Sequence, residues 1–403
     1  MAILFKNKKV NITSSMYYFT LMLLCVKAVF ARSAIFPLSG WLDNVMTLFI
    51  CVLFFFKILT QHYNGRQIIT ITFLAAVSIV SCFRTGDFTL LLSCLTILSA
   101  QEVDLHDAVW VLCSTKTILI IFHVIYYFAN LSVMLVWEGG TRGARYFMGF
   151  THPNVFSIIF LWTMLELLFL QYTTIKIPTL CMWYLTILLG YYFTRTRTLL
   201  VIASIALLLM ILTKYRKSQN RIIYRFSKFS YIICFAVSML LFGLYAKFSQ
   251  SLYALNHLLS NRVYYGSLAL KVYSPTVFGS AIGSDQTSSL NFLNNAGSLI
   301  IDNSYVFFVI KFGLIFVILF AAVFFKLADL NDKKLNIMLI LLAVFGLMES
   351  SIDNFIICFP LIFASRIIFE DKQARSALGP QQIEPPIQRR SQYLKEQRFH
   401  VNT

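Results

Sequence analysis

The sequence predicts an all-α, polytopic integral membrane protein, on three observations. Hydrophobic residues make up 58% of the 403 residues, more than the roughly 45 to 50% of soluble domains. Charged residues make up only 13%, where soluble domains have about 25%. The apolar residues also fall in successive runs that approach the roughly 20 residues needed to cross a bilayer as a helix, and these runs predict about 12 transmembrane helices.

The predicted spans follow from applying this length rule along the chain. They are 13–30, 41–59, 68–83, 88–100, 108–130, 153–171, 179–193, 198–213, 229–247, 303–325, 336–348 and 354–369. Together they define a transmembrane domain over 1–370. The remaining residues, 371–403, are rich in Gln, Arg, Pro and Glu, which predicts a basic, disordered cytoplasmic tail.

The longest segment between predicted spans is 248–302, a large external loop between the ninth and tenth helices. Its Asn, Asp, Tyr and Gly residues suit a folded cap, and loops of this length are usually functional. Such side chains also suit sugar binding, because hydroxyls pair with Asn and Asp while sugar faces stack on aromatic rings. A loop with a purely structural role is the alternative.

The distribution of Lys and Arg predicts the orientation. With the N-terminus inside, most of the 34 Lys and Arg residues fall in cytoplasmic segments, as the positive-inside rule requires, and the C-terminus is cytoplasmic as well. The cations left outside are Arg32, Arg84, Arg142, Arg145, Arg195, Arg197, Lys247, Arg262 and Lys271. Most are Arg, whose planar guanidinium binds phosphate oxygens in pairs. A single one could simply extend to lipid headgroups, but the set predicts an anion site.

Three lysines fall within predicted spans, where a charge is costly and often functional. Lys27 and Lys311 are expected to extend to the membrane interface. Lys116 lies nearer the middle of its span and is predicted to pair with a carboxylate such as Glu166.

Sequence motifs typical of several functional classes are absent. The chain has no P-loop, GxGxxG, HExxH or GxSxG motif, and its six His and eight Cys show no metal-ligand spacing. Neither a metal ion nor a cofactor is expected. The net charge of +17 belongs to segments that flank the membrane, so nucleic acid is not an expected partner.

Four predicted external segments carry the residues from which a function can be argued. They are Arg142-Gly143-Ala144-Arg145 with Gly149 and His152-Pro153-Asn154; Thr194-Arg195-Thr196-Arg197-Thr198; Asn261-Arg262-Val263-Tyr264-Tyr265; and Asp302-Asn303-Ser304-Tyr305. Each adjoins a predicted span at the end that the predicted orientation places outside, so all four are expected on the same face of the membrane.

Taken in order, these segments resemble the O-antigen ligase and polysaccharide polymerase superfamily, specifically the Wzy-type polymerases of capsules and exopolysaccharides. Members of this superfamily look to share four features in order. These are an Arg followed by Gly and then Pro-Asn at a helix start, a Ser/Thr-Arg turn, an Arg early in a large external loop, and a His-Asn or Asp-Asn pair before a helix. The resemblance extends over about 142 to 313 of this sequence.

The resemblance implies roles for individual residues. Arg145, Arg197 and Arg262 would hold a lipid diphosphate, and Arg262 would also take part in catalysis. Asp302 stands where ligases look to carry a His, so this departure points towards a polymerase, with Asp302 as the base. The further implied contacts are Arg142 and Arg195 to the diphosphate, and His152, Asn303 and Tyr305 to the substrate.

The implied reaction joins undecaprenyl-diphosphate-linked oligosaccharide repeat units into capsular, exopolysaccharide or O-antigen chains. It would take place on the outer face of the bacterial cytoplasmic membrane, with a diphosphate leaving group and without a metal. The implied partners are the lipid-linked oligosaccharides, the bilayer, and flippase and chain-length regulator proteins.

Several alternatives stay open at this point. Asp302 could serve only as a helix N-cap, and His152 could serve only to shape the start of a helix. The whole protein could be a lipid-linked oligosaccharide flippase or another transporter, or a ligase that transfers finished glycan to a different acceptor.

Overall fold

The computed structural model describes residues 12–130, 136–137, 143–215, 220–282 and 301–369, which are mostly helical. The helices are α1 (Ile12–Phe30), α2 (Gly40–Leu59), α3 (Gly65–Thr85), α4 (Thr89–Leu98), α5 (Leu105–Ala129), α6 (Pro153–Leu170), α7 (Ile177–Thr194), α8 (Arg197–Tyr215), α9 (Asn220–Lys247), α10 (Tyr253–Leu258), α11 (Arg262–Val272), α12 (Ser304–Lys311), α13 (Leu314–Ala328), α14 (Lys333–Gly346), the 3-10 helix Phe359–Phe363 and α15 (Ala364–Phe369). Two short antiparallel strands, β1 (Val136–Trp137) and β2 (Arg145–Tyr146), place Trp137 opposite Arg145.

Eight helices in the described part of the chain are long and apolar enough to cross a membrane, namely α1, α2, α3 and α5 to α9. Each overlaps a predicted span. The prediction of an α-helical protein with many apolar helices is therefore confirmed. The count of twelve spans is not, because the other four predicted spans correspond to shorter or interrupted helices.

Two of the shorter elements show how the length rule fails. Helix α4 has 10 residues, about 15 Å at 1.5 Å per residue, which is half of a typical hydrocarbon core. The predicted span 354–369 instead contains a 3-10 turn, Phe359–Phe363, before α15. Apolar composition alone cannot distinguish these elements from full spans.

The predicted span 303–325 is broken into α12 and α13 because another stretch of backbone reaches it at Gly313. This residue has φ of +83°, and a Cβ there would lie 2.4 Å from the backbone nitrogen of Gly279. The N–H of Leu314 donates to the carbonyl of Thr276 at 3.0 Å. The close approach requires glycine at Gly313, and the diverted backbone hydrogen bonds interrupt the helix.

Hydrogen bonds and ion pairs between connecting segments sort the helix ends into two sets. The site face comprises 31–36, 145–154, 194–198, 258–262 and 301–303. Three hydrogen bonds and one ion pair connect these segments: Ala34 N to Gly149 O (3.0 Å), Arg145 Nε to Thr194 O (2.9 Å), Arg197 NH1 to Leu258 O (2.9 Å) and Arg262 Nε to Asp302 Oδ2 (3.3 Å).

The opposite face consists of the other helix ends. Contacts within it are the hydrogen bonds Lys57 Nζ to Gln101 O (3.3 Å) and Ser227 Oγ to Asn336 Oδ1 (2.9 Å), and the ion pair Lys228 Nζ to Asp329 Oδ1 (2.7 Å). The segments of the site face are those predicted to be external, although their external position stays a prediction.

The predicted pair between Lys116 and Glu166 is confirmed. Lys116 Nζ lies 2.5 Å from Glu166 Oε1, and both side chains are almost completely buried between α5 and α6. Lys116 also donates to the carbonyl of Ile356 at 3.1 Å. The other two lysines do more than extend to the interface, because Lys27 and Lys311 form ion pairs with Asp43 and Asp87.

Candidate functional site

A cavity of about 520 Å³ lies at the site face, between the ends of several helices. Its polar lining consists of Asn154, Thr196, Arg197, Thr198, Ser238, Ser260, Arg262 and Asn303, and all of these except Ser238 lie at helix ends and turns. Its apolar lining includes interior positions of α8, α9 and α14, such as Val201, Leu241 and Val344. The cavity therefore suits a ligand with an anionic or polar part and an apolar part.

Arg145 lies behind the wall of this cavity and ties together two of the four predicted segments. Its Nε donates to the carbonyl of Thr194 at 2.9 Å, and its NH2 donates to Asn154 Oδ1 at 2.6 Å. The same NH2 lies 3.5 Å from Thr196 Oγ1, and the side chain is only 9% exposed. Asn154 and Thr196 line the cavity, so Arg145 positions lining residues. The geometry gives no support to the predicted direct contact with diphosphate.

The turn between α7 and α8 holds the two neighbouring arginines differently. Arg195 has φ of +52°, and its guanidinium carbon lies 4.9 Å from the ring centre of Tyr192. Arg197 lines the cavity and donates from NH1 to the carbonyl of Leu258 at 2.9 Å. Of this pair, Arg197 is the one placed to meet a ligand in the cavity.

Arg262 begins α11 and carries the main electrostatic contacts of the site. Its Nε lies 3.3 Å from Asp302 Oδ2, and its NH2 lies 3.2 Å from Glu349 Oε1. Since Arg262 also lines the cavity, it joins the third and fourth predicted segments there. The two carboxylates hold the guanidinium in a fixed orientation.

Asp302 is not the N-cap of α12, so that alternative is wrong. The cap is Asn303, whose Oδ1 accepts from the N–H groups of Tyr305 and Val306 at 3.0 and 3.1 Å. Asn303 also donates to Ser238 Oγ at 3.1 Å. The side chain of Asp302 is 35% exposed, which leaves part of it accessible beside Arg262.

His152 and Tyr305 both make contacts within the protein, and their predicted contacts with substrate stay predictions. His152 caps α6, because its Nδ1 accepts from the N–H of Asn154 at 3.1 Å. Burial, reinforced by Arg145 and opposed by Asp302, lowers the pKa of His152. Tyr305 is fully buried and donates its hydroxyl to the carbonyl of Ala343 at 2.6 Å, so it packs α12 against α14.

Glu349 is a site residue that the sequence reasoning missed. Its Oε1 accepts from Thr198 Oγ1 at 2.8 Å as well as from Arg262, and its backbone carbonyl accepts from Ser304 at 2.5 Å. Burial raises the pKa of the Glu349 carboxyl to about 7, against the opposing effect of Arg262. The available signal was a lone carboxylate at the boundary between two predicted spans.

The arrangement brings together most of the predicted site. Arg197 and Arg262 line one cavity, Asp302 and Glu349 pair with Arg262, and Arg145 supports the wall. Arg142 and the loop residues 283–300 lie outside the described residues, as does the tail 371–403. Among the described residues there is no cluster of three His, Cys, Asp or Glu side chains that could hold a metal ion.

Such a site presents the two guanidinium groups of Arg197 and Arg262 to an anionic ligand, and Asp302 lies in contact with one of them. No family model matches this chain, and no match is found among curated proteins or solved structures.

Proposed function

We propose that this protein is a membrane glycosyltransferase that polymerises undecaprenyl-diphosphate-linked oligosaccharide repeat units. The observation that carries the proposal is that Arg197 and Arg262 both line one cavity, whose wall is mostly apolar beyond the helix ends and turns. A polyprenyl diphosphate has the matching distribution, with a doubly charged group attached to a hydrocarbon chain. Guanidinium groups bind phosphate oxygens in a planar, bidentate manner.

In the proposed reaction, a hydroxyl of the acceptor sugar attacks the anomeric carbon of the donor glycan. The new glycosidic C–O bond forms as the bond between that carbon and the diphosphate oxygen breaks. Arg197 and Arg262 stabilise the negative charge that develops on the leaving diphosphate, an electrostatic contribution that is often the largest in catalysis. Asp302 accepts the proton of the attacking hydroxyl. Polyprenyl diphosphate leaves with the electron pair.

Glu349 contributes by positioning. Its carboxylate contacts Arg262 at 3.2 Å and Thr198 at 2.8 Å, so it joins the start of α11 to the turn that carries Arg197. The two arginines thereby keep a fixed spacing before substrate arrives. Pre-organised charges of this kind need no rearrangement during the reaction.

The proposal includes the position of the protein in the membrane. The eight long helices, together with the four shorter or interrupted elements and the segments that flank them, carry the chain twelve times across a bacterial cytoplasmic membrane, with both termini in the cytoplasm. The site face then lies outside, where lipid-linked repeat units are joined. The lysine- and arginine-bearing ends of the opposite face, such as Lys57 and Lys228, meet the cytoplasmic leaflet.

The test is to replace Arg262 with Gln and Asp302 with Asn in the native host and to examine lipid-linked glycans by gel electrophoresis. Both variants should accumulate single repeat units and lose long chains. Arg84→Gln, an exposed residue outside the cavity, removes the same charge and should leave the chain-length distribution unchanged. If both site variants reach normal membrane levels and still make chains of normal length, the proposed function is wrong.

A further inference from the structure

A second cavity, of about 500 Å³, lies at the site face between α1, α2 and α4. Its polar lining consists of Lys27, Arg32, Asp43, Thr89, Ser93 and Asn354. None of these residues belongs to the four predicted external segments, which contribute Arg197 and Arg262 to the first cavity, called the arginine cavity below. The second cavity is similar in volume to the first, which is about 520 Å³.

Arg32 is the cation of this cavity whose charge lacks a contacting carboxylate. Its NH1 donates to the carbonyl of Ala28 at 3.3 Å, and within the described residues no carboxylate forms an ion pair with it. The neighbouring lysines are compensated, because Lys27 pairs with Asp43 at 3.2 Å and Lys311 pairs with Asp87. A guanidinium that is partly removed from water without a counterion favours an anionic ligand.

The largest electrostatic compensation of Arg32 comes from Asp353, and it is incomplete. Asp353 acts on Arg32 through space, but burial raises the pKa of Asp353 to about 7. Near neutral pH, Asp353 therefore carries only part of a negative charge. Ser93, which lines the cavity, donates its hydroxyl to the carbonyl of Asp353 at 2.8 Å, so this residue lies just behind the cavity wall.

The same cavity offers an acceptor for a ligand hydroxyl. Asp43 Oδ2 pairs with Lys27, whereas Asp43 Oδ1 is buried and receives no hydrogen bond from the described residues. A buried carboxylate oxygen without a donor is unfavourable. A ligand that carries both an anionic group and hydroxyls would satisfy Arg32 and Asp43 together.

The segment that carries Arg32 also forms backbone hydrogen bonds with the segment that leads to the wall of the first cavity. The carbonyl of Arg32 accepts from the N–H of Thr151 at 3.0 Å, and the N–H of Ala34 donates to Gly149 at 3.0 Å. Three residues after Thr151, Asn154 lines the arginine cavity. The two cavities therefore share a boundary segment on the same face.

We propose that the cavity around Arg32 is a second ligand site, which binds a glycosyl phosphate through Arg32 and the free oxygen of Asp43. The assignment of this cavity as the acceptor site rests on the polymerase function proposed above. In that reaction two lipid-linked saccharides must be held at once, and each carries a phosphate at the sugar. The first cavity would hold the donor and the second the acceptor.

The test uses the full chain in phosphatidylcholine nanodiscs, with glucose 1-phosphate as the probe and ligand-observed phosphorus NMR as the readout. Arg197→Gln serves as the background, because we expect it to weaken anion binding in the first cavity, which Arg197 lines. Adding Arg32→Gln to this background should weaken probe binding about tenfold or more, since hydrogen bonds to charged groups are worth about 1.5 to 3 kcal/mol. Adding Arg84→Gln, the same charge change at an exposed position, should leave binding unchanged. Thermal unfolding of each variant checks that the fold is retained.

Several outcomes would overturn the site. Equal affinity with and without Arg32→Gln would exclude it. Binding of inorganic phosphate as tight as that of glucose 1-phosphate would show that no sugar is recognised. Loss of probe binding when phosphatidylglycerol replaces phosphatidylcholine would assign the cavity to a lipid headgroup.

The assignment to the acceptor has its own test, which is separate from the test of the polymerase. Arg32→Gln should block chain growth in the native host and leave single units. If probe binding depends on Arg32 but chain growth does not, the acceptor role is wrong. If Arg262→Gln also leaves chain growth intact, the polymerase proposal fails regardless of the binding result.

Discussion

Arg262 and Glu349 are 87 residues apart in the sequence, yet the guanidinium NH2 of Arg262 lies 3.2 Å from the Oε1 of Glu349. The contact joins the first residue of α11 to the irregular segment that follows α14. Because Glu349 is buried and also accepts a hydrogen bond from Thr198, its charge state affects both sides of the arginine cavity.

Replacing Glu349 with Gln should lower the rate of chain growth about tenfold or more, since a charge-assisted contact to Arg262 is lost. The pKa of Glu349 is raised to about 7, so the carboxylate forms as the pH rises through that value. Glycan synthesis by the wild-type protein in membrane vesicles should therefore increase between pH 6 and 8, over roughly one pH unit on each side of the pKa.

Glu349→Gln should flatten this rise, because the amide does not titrate. Arg84→Gln, which is outside the site, should keep the wild-type pH profile. If Glu349→Gln keeps the wild-type pH profile, Glu349 is not the group whose titration controls activity, and its proposed role is wrong.

Loss of Arg145 should mainly lower the stability of the protein, whereas loss of Arg197 should mainly lower its activity. Arg145→Gln removes a buried guanidinium that contacts Thr194 and Asn154, and it should lower the free energy of unfolding by about 1.5 to 3 kcal/mol. Arg197→Gln replaces an exposed side chain, and it should reduce activity with little change in the unfolding temperature.

Thermal unfolding in detergent, together with vesicle activity per folded protein, measures both quantities. A stable but inactive Arg145→Gln protein would instead support direct contact between Arg145 and the diphosphate.

The ion pair between Lys116 and Glu166 should be sensitive to loss of one partner. Lys116→Met leaves Glu166 as an unpaired carboxyl among apolar side chains, and it should cost about 3 to 5 kcal/mol of stability. The double variant Lys116→Met, Glu166→Met removes both charges and should recover much of that loss. Unfolding midpoints in detergent check the order, and a double variant less stable than the single one would contradict it.

Gly313→Ala should destabilise the protein strongly. The residue has φ of +83°, and an added Cβ would lie 2.4 Å from the carbonyl oxygen of Val277 as well as 2.4 Å from the nitrogen of Gly279. Gly243→Ala is the matched control, because an added Cβ there meets nothing within 4 Å. The yield of monodisperse protein after extraction should fall only for Gly313→Ala, and equal yields would mean that the break between α12 and α13 tolerates a side chain.

The sequence was sufficient to predict which arginines belong to one face, because hydropathy and the distribution of Lys and Arg depend on local composition. It could not predict that Arg145 points into the protein and Arg197 into the cavity. Both lie beside helix ends in similar short motifs, and their directions depend on contacts with Asn154, Thr194 and Leu258.

The role of Glu349 and the helix break at Gly313 were missed for a related physical reason. The role of Glu349 depends on Thr198 and Arg262, which are distant in the sequence. A glycine inside an apolar run is common in membrane helices, so the break at Gly313 becomes visible only when the segment around Gly279 lies against it.

The hydrogen bonds of Arg145 also have an evolutionary consequence. One guanidinium satisfies Asn154 at the start of α6 and lies beside Thr196 in the turn before α8, while Thr196 donates to Asn154 at 3.1 Å. A substitution at any of these three positions removes one polar contact from each of the other two. Among homologous proteins, the three positions should therefore vary together, and a chain that has lost the arginine should also have replaced the asparagine.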